Sequence, residues 1–389
     1  MRAQSTRLPA LFLCGLCACG KGPGFPGYGL PLPGALDGGD AGSSDPGSSD
    51  AGGPNAADAG TPDAGTPDAG GAGDAGPGDA GPSDAGPRDA GTTDAGDAGS
   101  TDSGIATAGP LIDGCPVFPP SSEWNRDVSA DPVDPGSDHY LALMNASTTF
   151  VHPDFGSTPG YGVPYATVPG SQPTTPMSFL YAGQSDPGPY PFPQTLIIQS
   201  GPDLHAVVID RDRCLLYETY DTHHDGNGGF SCGSGARFDL RTGALRPDGW
   251  TSATASGLPI FPGLVRYDEA VQAGEIHHAL IYTSGVTSHF YLHPATHEVG
   301  NSTDPAAPPM GLRLRLRKSY DLSRFTGVSR TVVLALQRYG MLLIDNGSDF
   351  TIGGASDSRW PDSDLEQLKS IPGTAFEAVQ VGAFHAGLL

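Results

Sequence analysis

The chain has 389 residues, including 57 glycines and 38 prolines, and its formal net charge at neutral pH is −23. Such an acidic chain disfavours nucleic acids and anionic membranes as partners, because binding to phosphate groups requires a basic surface. Beyond the N-terminus, no segment has the roughly 18 consecutive apolar residues of a membrane-spanning helix. The composition carries no signal for an oligomeric state.

The N-terminus has the pattern of an export signal. Arg2 and Arg7 precede a short apolar run over 8–18, which is too short to cross a bilayer. Residues 16–19 read Leu-Cys-Ala-Cys, which resembles the bacterial lipobox. This resemblance implies that a signal peptide of 18 residues is removed and that Cys19 carries the lipid anchor in a membrane. An aspartate directly after that cysteine would suggest retention in the inner membrane, and here the next residue is Gly20. We therefore expect the protein at the outer membrane or cell surface, with secretion as the alternative.

A low-complexity segment separates this signal from the rest of the chain. After the acylated N-terminal segment 19–36, residues 37–104 repeat Asp-Ala-Gly with proline, serine and threonine between the copies. A segment with so few apolar residues cannot offset the entropy lost on ordering, and its like charges extend it. We therefore predict a disordered tether, with a mean reach of roughly 45–50 Å, followed by one β-rich extracytoplasmic domain over 105–389.

Alternation of apolar and polar residues dominates that domain and predicts β-strands. Residues 204–209 and 214–220 indicate a hairpin joined by Arg211-Asp212. A second pair of strands is predicted around Ser284-Gly285. A turn is predicted at Asn346-Gly347. The strands on either side of Ser284-Gly285 are predicted over 277–283 and 289–293, and those on either side of Asn346-Gly347 over 341–344 and 350–352. One further strand is predicted over 312–317, where leucine and arginine alternate.

Two helices are predicted over 331–339 and 363–371, from apolar residues at helical spacing and from Gly340 and Pro372 as stop signals. The stretch 117–193 is rich in proline and glycine and is expected to wrap the domain as loops. The predicted class is all-β, a sandwich or jelly-roll-like fold with two short peripheral helices. An α+β fold is the alternative.

Three cysteines remain in the predicted domain: Cys115, Cys214 and Cys232. An oxidising compartment favours one disulfide. We prefer a bond between Cys115 and Cys214, because Cys232 lies in a glycine-rich loop where a free thiol can persist. A bond between Cys214 and Cys232 is the alternative.

Five sequence phrases, at 115–119, 152–156, 244–252, 274–280 and 339–347, together resemble a family of exported proteins of soil bacteria. Members of that family are mostly uncharacterised, and the domain sometimes lies beside carbohydrate-binding modules. The resemblance covers nearly all of 115–380 and implies one integral domain. It implies no reaction and no catalytic residues, so the association with carbohydrate is a hint only.

Carboxylates and histidines supply the candidate catalytic groups. Glu275 and His277 are predicted on one face of a strand, where they could act as an acid–base pair, with His278 on the opposite face. Glu218 is predicted on a mostly apolar strand face and needs a partner there. Glu275 or Asp345 as that partner would suit glycoside hydrolysis. The predicted catalytic set is therefore Glu218, Glu275, His278 and Asp345.

Structural roles are the alternatives for these residues. Glu275 and the adjacent histidines could be strand-end polar groups in a satisfied network. Glu218 could instead form an ion pair with Arg313, Arg315 or Arg317.

No nucleotide-binding or zinc-protease motif is present, and we predict neither a metal site nor a cofactor. The loop 221–229 has residue types that bind metals, but it lacks the spacing of a calcium loop and favours a plain hairpin. His293 and His297 are four residues apart, a weak metal signal outside a helix.

Aromatic and basic residues supply the candidate ligand contacts. The predicted substrate-binding residues are Trp250, Asp248 and Arg315. Tryptophan and tyrosine rings could stack on sugars, although such rings are more often in the core: Trp124, Trp250, Trp360, Tyr161, Tyr165 and Tyr190. The arginines at 313, 315 and 317 could grip an acidic polysaccharide, or they could cover the sheet.

These features predict a surface-tethered lipoprotein that hydrolyses or otherwise cleaves a polysaccharide by carboxylate and histidine acid–base chemistry. The alternative is a non-catalytic surface module that binds a glycan or a protein.

Overall fold

A computed structural model describes residues 109–380 and 382–386. These residues fold mainly as β-strands. The predicted signal peptide, Cys19, the segment 19–36 and the tether 37–104 lie outside these described residues. Among the described residues, no helix has the length and apolarity needed to cross a membrane.

The strands are short and follow one another throughout the described chain. In order they are β1 (Leu111–Ile112), β2 (Cys115–Pro116), β3 (His152–Asp154), β4 (Tyr165–Val168), β5 (Met177–Phe179), β6 (Ala206–Asp210), β7 (Leu215–Tyr220), β8 (His223–His224), β9 (Phe230–Cys232), β10 (Ser234–Asp239), β11 (Leu280–Ser284), β12 (Phe290–Leu292), β13 (Arg313–Leu316), β14 (Met341–Asn346), β15 (Thr351–Gly353), β16 (Phe376–Ala378) and β17 (Phe384–Ala386).

Helices are few and short by comparison. The α-helices are α1 (Ser137–Leu143), α2 (Gly327–Arg338) and α3 (Asp362–Leu365). A π-helix spans Asp268–Ala273. Single 3₁₀ turns occur at Ala182–Gln184, Phe261–Gly263, Glu366–Ser370 and Gly373–Ala375.

Two larger sheets form the body of the fold. The six-stranded sheet has the order β16-β13-β14-β11-β15-β3, and the four-stranded sheet has the order β10-β7-β6-β4. Both sheets are mixed, since β11 runs parallel to β14 and β4 runs parallel to β6. A three-stranded sheet, β5-β9-β8, completes the layers. The predicted strand-rich class with layered sheets is therefore confirmed.

The central position of β6 explains its sequence. Every residue of β6 is buried, and neighbouring residues belong to two different cores. Val207 and Ile209 pack in the main core, whereas Ala206 and Val208 pack in a second core with Phe230. A strand covered on both faces requires a continuous apolar run rather than simple alternation. Its antiparallel pairing with β7 confirms the first predicted hairpin.

The second predicted strand pairing is wrong. β11 pairs with β14 and β15, whereas β12 pairs with β17 near the C-terminus. Likewise β14 and β15, which flank Asn346-Gly347, are separated by β11 rather than joined as neighbours. The turn residues correctly indicated where the strands end, but which strands pair with each other depends on long-range packing.

The two predicted helices exist with shifted bounds. α2 begins at Gly327 rather than 331, because the Oδ2 atom of Asp364 accepts a hydrogen bond from the backbone N–H of Val328 at 2.6 Å. This contact satisfies an otherwise free N–H in the first turn. The second predicted helix is α3 followed by a 3₁₀ turn. The helix α1 was not predicted, and it lies within the stretch 117–193 that was expected to form loops.

One disulfide joins Cys115 to Cys214, as predicted, and Cys232 is a free, buried thiol. The bond fastens β2 to the residue directly before β7. In the segment after β2, Phe118 is held at a φ of 64°, a left-handed conformation that is rare for a bulky residue. Its N–H donates to the carbonyl oxygen of Leu240 at 2.8 Å, which holds this segment beside β10.

Candidate functional site

A cavity of about 390 Å³ opens beside the turn that follows the π-helix. Its volume lies in the range of about 300–1,000 Å³ that is usual for ligand sites. We call it the Glu275 cavity, and its polar lining comprises two acids, two bases, a histidine and a tyrosine, together with Ser129, Thr331 and Gln337. The first six are Asp127, Glu275, His277, Lys318, Arg338 and Tyr339.

The end of the π-helix positions the first of these side chains. Gly274 has a φ of 74°, a left-handed conformation that suits glycine, and it turns the chain out of the helix. The backbone N–H of Glu275 donates to the carbonyl oxygen of Glu269 at 3.2 Å. The hydroxyl of Thr331 on α2 donates to the carbonyl oxygen of Gly274 at 3.3 Å. The turn is therefore tied to α2, whose last residue, Arg338, is followed directly by Tyr339.

A close charge-pair contact and a hydrogen bond connect Glu275, His277 and Tyr339. The Oε2 atom of Glu275 lies 2.8 Å from Nε2 of His277, and Nδ1 of His277 lies 3.2 Å from the hydroxyl of Tyr339. In the tautomer that carries its hydrogen on Nε2, Nδ1 of His277 accepts a hydrogen bond from the hydroxyl of Tyr339. The Glu275 side chain is 69% exposed, whereas Tyr339 is 4% exposed. These contacts therefore run from solvent into the core.

A second carboxylate, that of Asp127, lines the same cavity. Its Oδ2 atom accepts from Nε of Arg338 at 2.8 Å, and its Oδ1 atom accepts from the N–H of Ser129 at 2.9 Å. Partial burial tends to raise the pKa of Asp127, but hydrogen bonds from Ser129 and Arg338 outweigh it and hold this pKa below its usual value. Asp127 is thus kept ionised beside the exposed Lys318 and Glu275.

His278 points away from this cavity. It is fully buried, with Nε2 lying 3.0 Å from Oε2 of Glu269 and Nδ1 lying 2.9 Å from the carbonyl oxygen of Ala279. Glu269 also contacts the buried Arg266 at 2.5 Å. Burial tends to raise the pKa of Glu269, but the charges of His278 and Arg266 outweigh it, so this pKa is lowered. The strand predicted through this segment begins only at Leu280, and His278 belongs to a buried polar network.

Glu218 and Asp345 are buried anchors for one segment of chain. Glu218 accepts hydrogen bonds of 2.8 Å from the backbone N–H groups of both Ile260 and Phe261. Asp345 accepts one of 3.0 Å from the N–H of Ala255. Burial raises the pKa of each carboxyl to about 7. The two side chains therefore fasten the stretch 255–261 to strands of both large sheets.

The four predicted catalytic residues are not brought together. Among the described residues, no hydrogen bond or ion pair links any two of Glu218, Glu275, His278 and Asp345. In the described part of the chain, Glu218 also forms no ion pair with Arg313, Arg315 or Arg317. Of the four, Glu275 alone lines the Glu275 cavity. Sequence reasoning missed Asp127 and Tyr339 as its neighbours, because they come from a distant loop and from the end of α2.

A second cavity, of about 300 Å³, lies near the disulfide-fastened segment. We call it the Arg246 cavity. Phe118, Trp124 and Phe238 supply aromatic walls, and the buried Arg246 and the exposed Leu245 also line it. Arg246 is fixed by an ion pair of 2.5 Å with Asp186, yet its buried Nε atom has no hydrogen-bond partner among the described residues.

The predicted substrate-binding residues divide between this region and the core. The Arg246 guanidinium lies 5.4 Å from the centre of the Trp250 ring, so Trp250 packs beside Arg246 without itself lining the Arg246 cavity. Asp248 is exposed nearby and accepts from Nε2 of His293, another lining residue, at 2.8 Å. Arg315 is buried and donates to Glu377 at 2.8 Å. Its guanidinium is therefore engaged inside the fold rather than presented to a ligand.

Most of the candidate stacking rings also belong to the core. Trp360 is buried and donates through Nε1 to the carbonyl oxygen of Ala355 at 2.8 Å. Tyr190 is buried among other aromatic rings of the second core. Tyr161 and Tyr165 are partly exposed. Trp124 is buried but contributes to the wall of the Arg246 cavity.

The weak metal signals read from the sequence have structural explanations. The segment 221–229 contains β8 and the turn that leads to its antiparallel partner β9, and in that turn the carboxylate of Asp225 accepts from the N–H groups of Asn227 and Gly229. Nδ1 of His297 lies 2.8 Å from the carbonyl oxygen of Ala255, so His297 does not accompany His293. Instead His293 meets Asp248 and His385, with potential ligand atoms within 4.8 Å of one another.

Comparisons with known protein families, with curated proteins and with solved structures give no match. The resemblance to exported proteins of soil bacteria stays a prediction. The function of the domain is therefore inferred from side-chain geometry.

Proposed function

We propose that this domain cleaves a polysaccharide by general acid–base catalysis in the Glu275 cavity. The observation that carries the proposal is the contact of 2.8 Å between Glu275 and His277, on the wall of a cavity that also contains the carboxylate of Asp127. A histidine oriented on one side by Tyr339 and a carboxylate on the other is the arrangement required of a positioned acid–base pair.

The residues of the cavity suit hydrolysis of a glycosidic bond. Such hydrolysis requires a group that protonates the leaving oxygen and a carboxylate that activates water or stabilises the positive charge on the sugar. The pair of Glu275 and His277 can transfer the proton, because both side chains reach solvent. Asp127 supplies the second carboxylate and is held ionised by Arg338. Tyr339 is a positioning residue, because its hydroxyl fixes the ring of His277.

We further propose that the protein acts outside the cytoplasm, anchored at the outer membrane or cell surface through a lipid on Cys19 and a tether over 37–104. The disulfide between Cys115 and Cys214 supports export, since such bonds persist in oxidising compartments. A tether would allow the cavity to reach polysaccharide beyond the membrane. Secretion without an anchor is the alternative address.

Glycan binding without catalysis is the second candidate function, and the Arg246 cavity favours it. The lining combines three aromatic side chains with the guanidinium of Arg246, which are the residue types that stack on sugar rings and donate hydrogen bonds to their oxygens. This function would leave the Glu275 cavity without a chemical role.

The test is a cleavage screen of the full chain against a panel of neutral and acidic polysaccharides. We expect new reducing ends from at least one polysaccharide, and we expect Glu275→Gln to reduce the rate by at least about a hundredfold. Asp304→Asn is the matched control, because Asp304 forms a similar exposed pair with His139, at 3.0 Å, outside both cavities. This control should keep the wild-type rate.

Two other outcomes would decide against hydrolysis in the Glu275 cavity. Products with unsaturated ends would show elimination instead, with the same residues moving the proton. No cleavage at all, together with retardation of the chain in polysaccharide gels that Trp250→Ala abolishes, would favour the binding function.

A further inference from the structure

A second cluster of functional side chains lies outside the Glu275 cavity and plays no part in the proposed cleavage. Asp248, His293 and His385 come from three separate segments, and their potential ligand atoms lie within 4.8 Å of one another. Two imidazoles and one carboxylate form a donor set that suits zinc and neighbouring divalent transition metals. Asp248 and His293 are exposed and His385 is half-buried, so an ion can reach all three.

The segments that carry Asp248 and His293 are fastened to each other. The N–H of Gly249 donates to the carbonyl oxygen of Thr296 at 2.6 Å, and the hydroxyl of Thr296 donates to the carbonyl oxygen of Trp250 at 3.0 Å. These bonds lie one or two residues from Asp248 and three residues from His293. Their relative position is therefore set by backbone contacts and does not depend on a bound ion.

The third side chain is braced by a strand pair. β17 pairs with β12 so that His385 lies opposite Tyr291, two residues before His293. The ring of His385 stacks on Tyr291 at 5.3 Å and on His293 at 4.1 Å between ring centres. A strand and two aromatic rings thus restrict His385 to the neighbourhood of the other two groups, which reduces the entropy lost when a metal binds.

We propose that Asp248, His293 and His385 bind a divalent transition metal ion of the zinc class. Around tetrahedral zinc, ligand atoms at about 2.0–2.1 Å from the ion lie roughly 3.3 Å apart. The contact of 2.8 Å between Asp248 and His293 is already close to this spacing. The potential ligand atoms all lie within 4.8 Å of one another, so displacements of at most about 1.5 Å at His385 or Asp248 would bring the remaining atoms to this spacing.

The site leaves room for an outside ligand. Three protein ligands occupy three positions of a tetrahedral ion and leave the fourth for water or for an oxygen atom of a bound molecule. His293 also lines the Arg246 cavity. A metal ion held by His293 therefore lies at the border of that cavity, beside the arginine whose Nε atom lacks a partner. The chemistry of the border suits a ligand with an anionic or hydroxyl oxygen.

Titration of the full chain with Zn²⁺, followed by calorimetry, tests the proposal directly. We expect one site per chain, and we expect His385→Gln and Asp248→Asn each to weaken binding at that site by at least about tenfold. The acidic segment 37–104 is present in every variant, so its weak metal binding cancels in the comparison. His139→Gln is the matched control, because His139 pairs with Asp304 at 3.0 Å and has no third ligand nearby in the described structure. It should leave the affinity unchanged.

A spectroscopic measurement separates loss of the site from loss of the fold. Co²⁺ bound by the wild-type chain should show the visible absorption of a tetrahedral ion, and His385→Gln should lose it while keeping the wild-type circular dichroism spectrum. Equal Zn²⁺ affinity in the wild type and in His385→Gln would overturn the proposal, as would the absence of a stoichiometric site in the wild type. None of these readouts depends on whether the Glu275 cavity is catalytic.

Discussion

Glu218 and Glu275 show how burial decides what a carboxylate does. The sequence makes both of them candidates for catalysis. The structure places Glu218 fully inside the fold, against the N–H groups of Ile260 and Phe261, and places Glu275 at a cavity mouth with a side chain that is 69% exposed. The first carboxylate has every partner it needs from the backbone. The second has a histidine partner and a free face toward solvent.

An acidic residue on an apolar strand is therefore more informative about the fold than about chemistry. A buried carboxylate requires hydrogen-bond donors. Backbone N–H groups that would otherwise be unpaired are favourable donors, because one contact then satisfies two buried polar groups. Glu218 and Asp345 both satisfy this requirement by holding the stretch 255–261. An acidic residue that follows a glycine turn, such as Glu275, is free to face a ligand.

Removal of Glu218 should have the largest effect on stability. Glu218→Ala leaves the N–H groups of Ile260 and Phe261 unpaired in the core, and each unpaired group costs about 1–3 kcal/mol. We expect a loss of about 4 kcal/mol in the free energy of unfolding at pH 5, measured by urea denaturation. Glu275→Ala should change it by less than about 0.5 kcal/mol, because surface ion pairs contribute little. Equal losses in the two variants would erase the distinction between the two carboxylates.

The pH dependence of stability should follow the buried carboxyls. Burial raises the pKa of Glu218 from 4.5 to about 7, so the folded state retains a proton that the unfolded state releases. The stabilisation is complete below about pH 4.5 and is lost as the pH rises to about 7, by an amount on the order of 3 kcal/mol. Asp345 contributes in the same direction.

Glu218→Gln isolates this contribution, since an amide does not ionise. Unfolding free energies of the wild type and of Glu218→Gln, measured between pH 4.5 and 8, should converge as the pH rises, because only the wild type loses the contribution of Glu218. Parallel curves over this range would mean that Glu218 is ionised in the folded state at all these pH values.

Removal of the hydrogen bond between Tyr339 and His277 should have a smaller effect on stability than removal of Glu218. Tyr339→Phe removes the donor to Nδ1 of His277 and should cost about 1 kcal/mol in the free energy of unfolding. The Phe ring keeps its packing, so the fold should not change. The same variant should reduce cleavage while leaving substrate affinity nearly constant, because Tyr339 positions His277 and does not touch substrate. An unchanged cleavage rate would remove Tyr339 from the acid–base chain.

Local patterns in the sequence predicted the strand-rich class, the hairpin of β6 and β7, the positions of α2 and α3, and the disulfide of Cys115 with Cys214. Pairings between distant strands were beyond those patterns, since β12 finds β17 almost at the end of the chain. The alternation of leucine and arginine in β13 suggested a covering or ligand-gripping face. Instead Arg315 is buried, because Glu377 on β16 lies beside it.

The candidate site was predictable in part, for a similar reason. Glu275 and His277 are two residues apart, so a local pattern could bring them together, and their contact in the structure agrees with that pattern. Asp127 and Tyr339 join them only through the packing of α2 and of the loop after Trp124. His385 gave no signal of any kind, because β17 reaches His293 only through its pairing with β12.

The most direct test of the account measures cleavage by Glu275→Gln and Glu218→Gln side by side, on a polysaccharide that the wild type degrades and at a pH where all three chains are folded. We predict that Glu275→Gln loses at least about a hundredfold in rate, whereas Glu218→Gln retains most of the wild-type rate. Loss of cleavage in Glu218→Gln with activity intact in Glu275→Gln would contradict the account, because it would place the chemistry at the buried carboxylate.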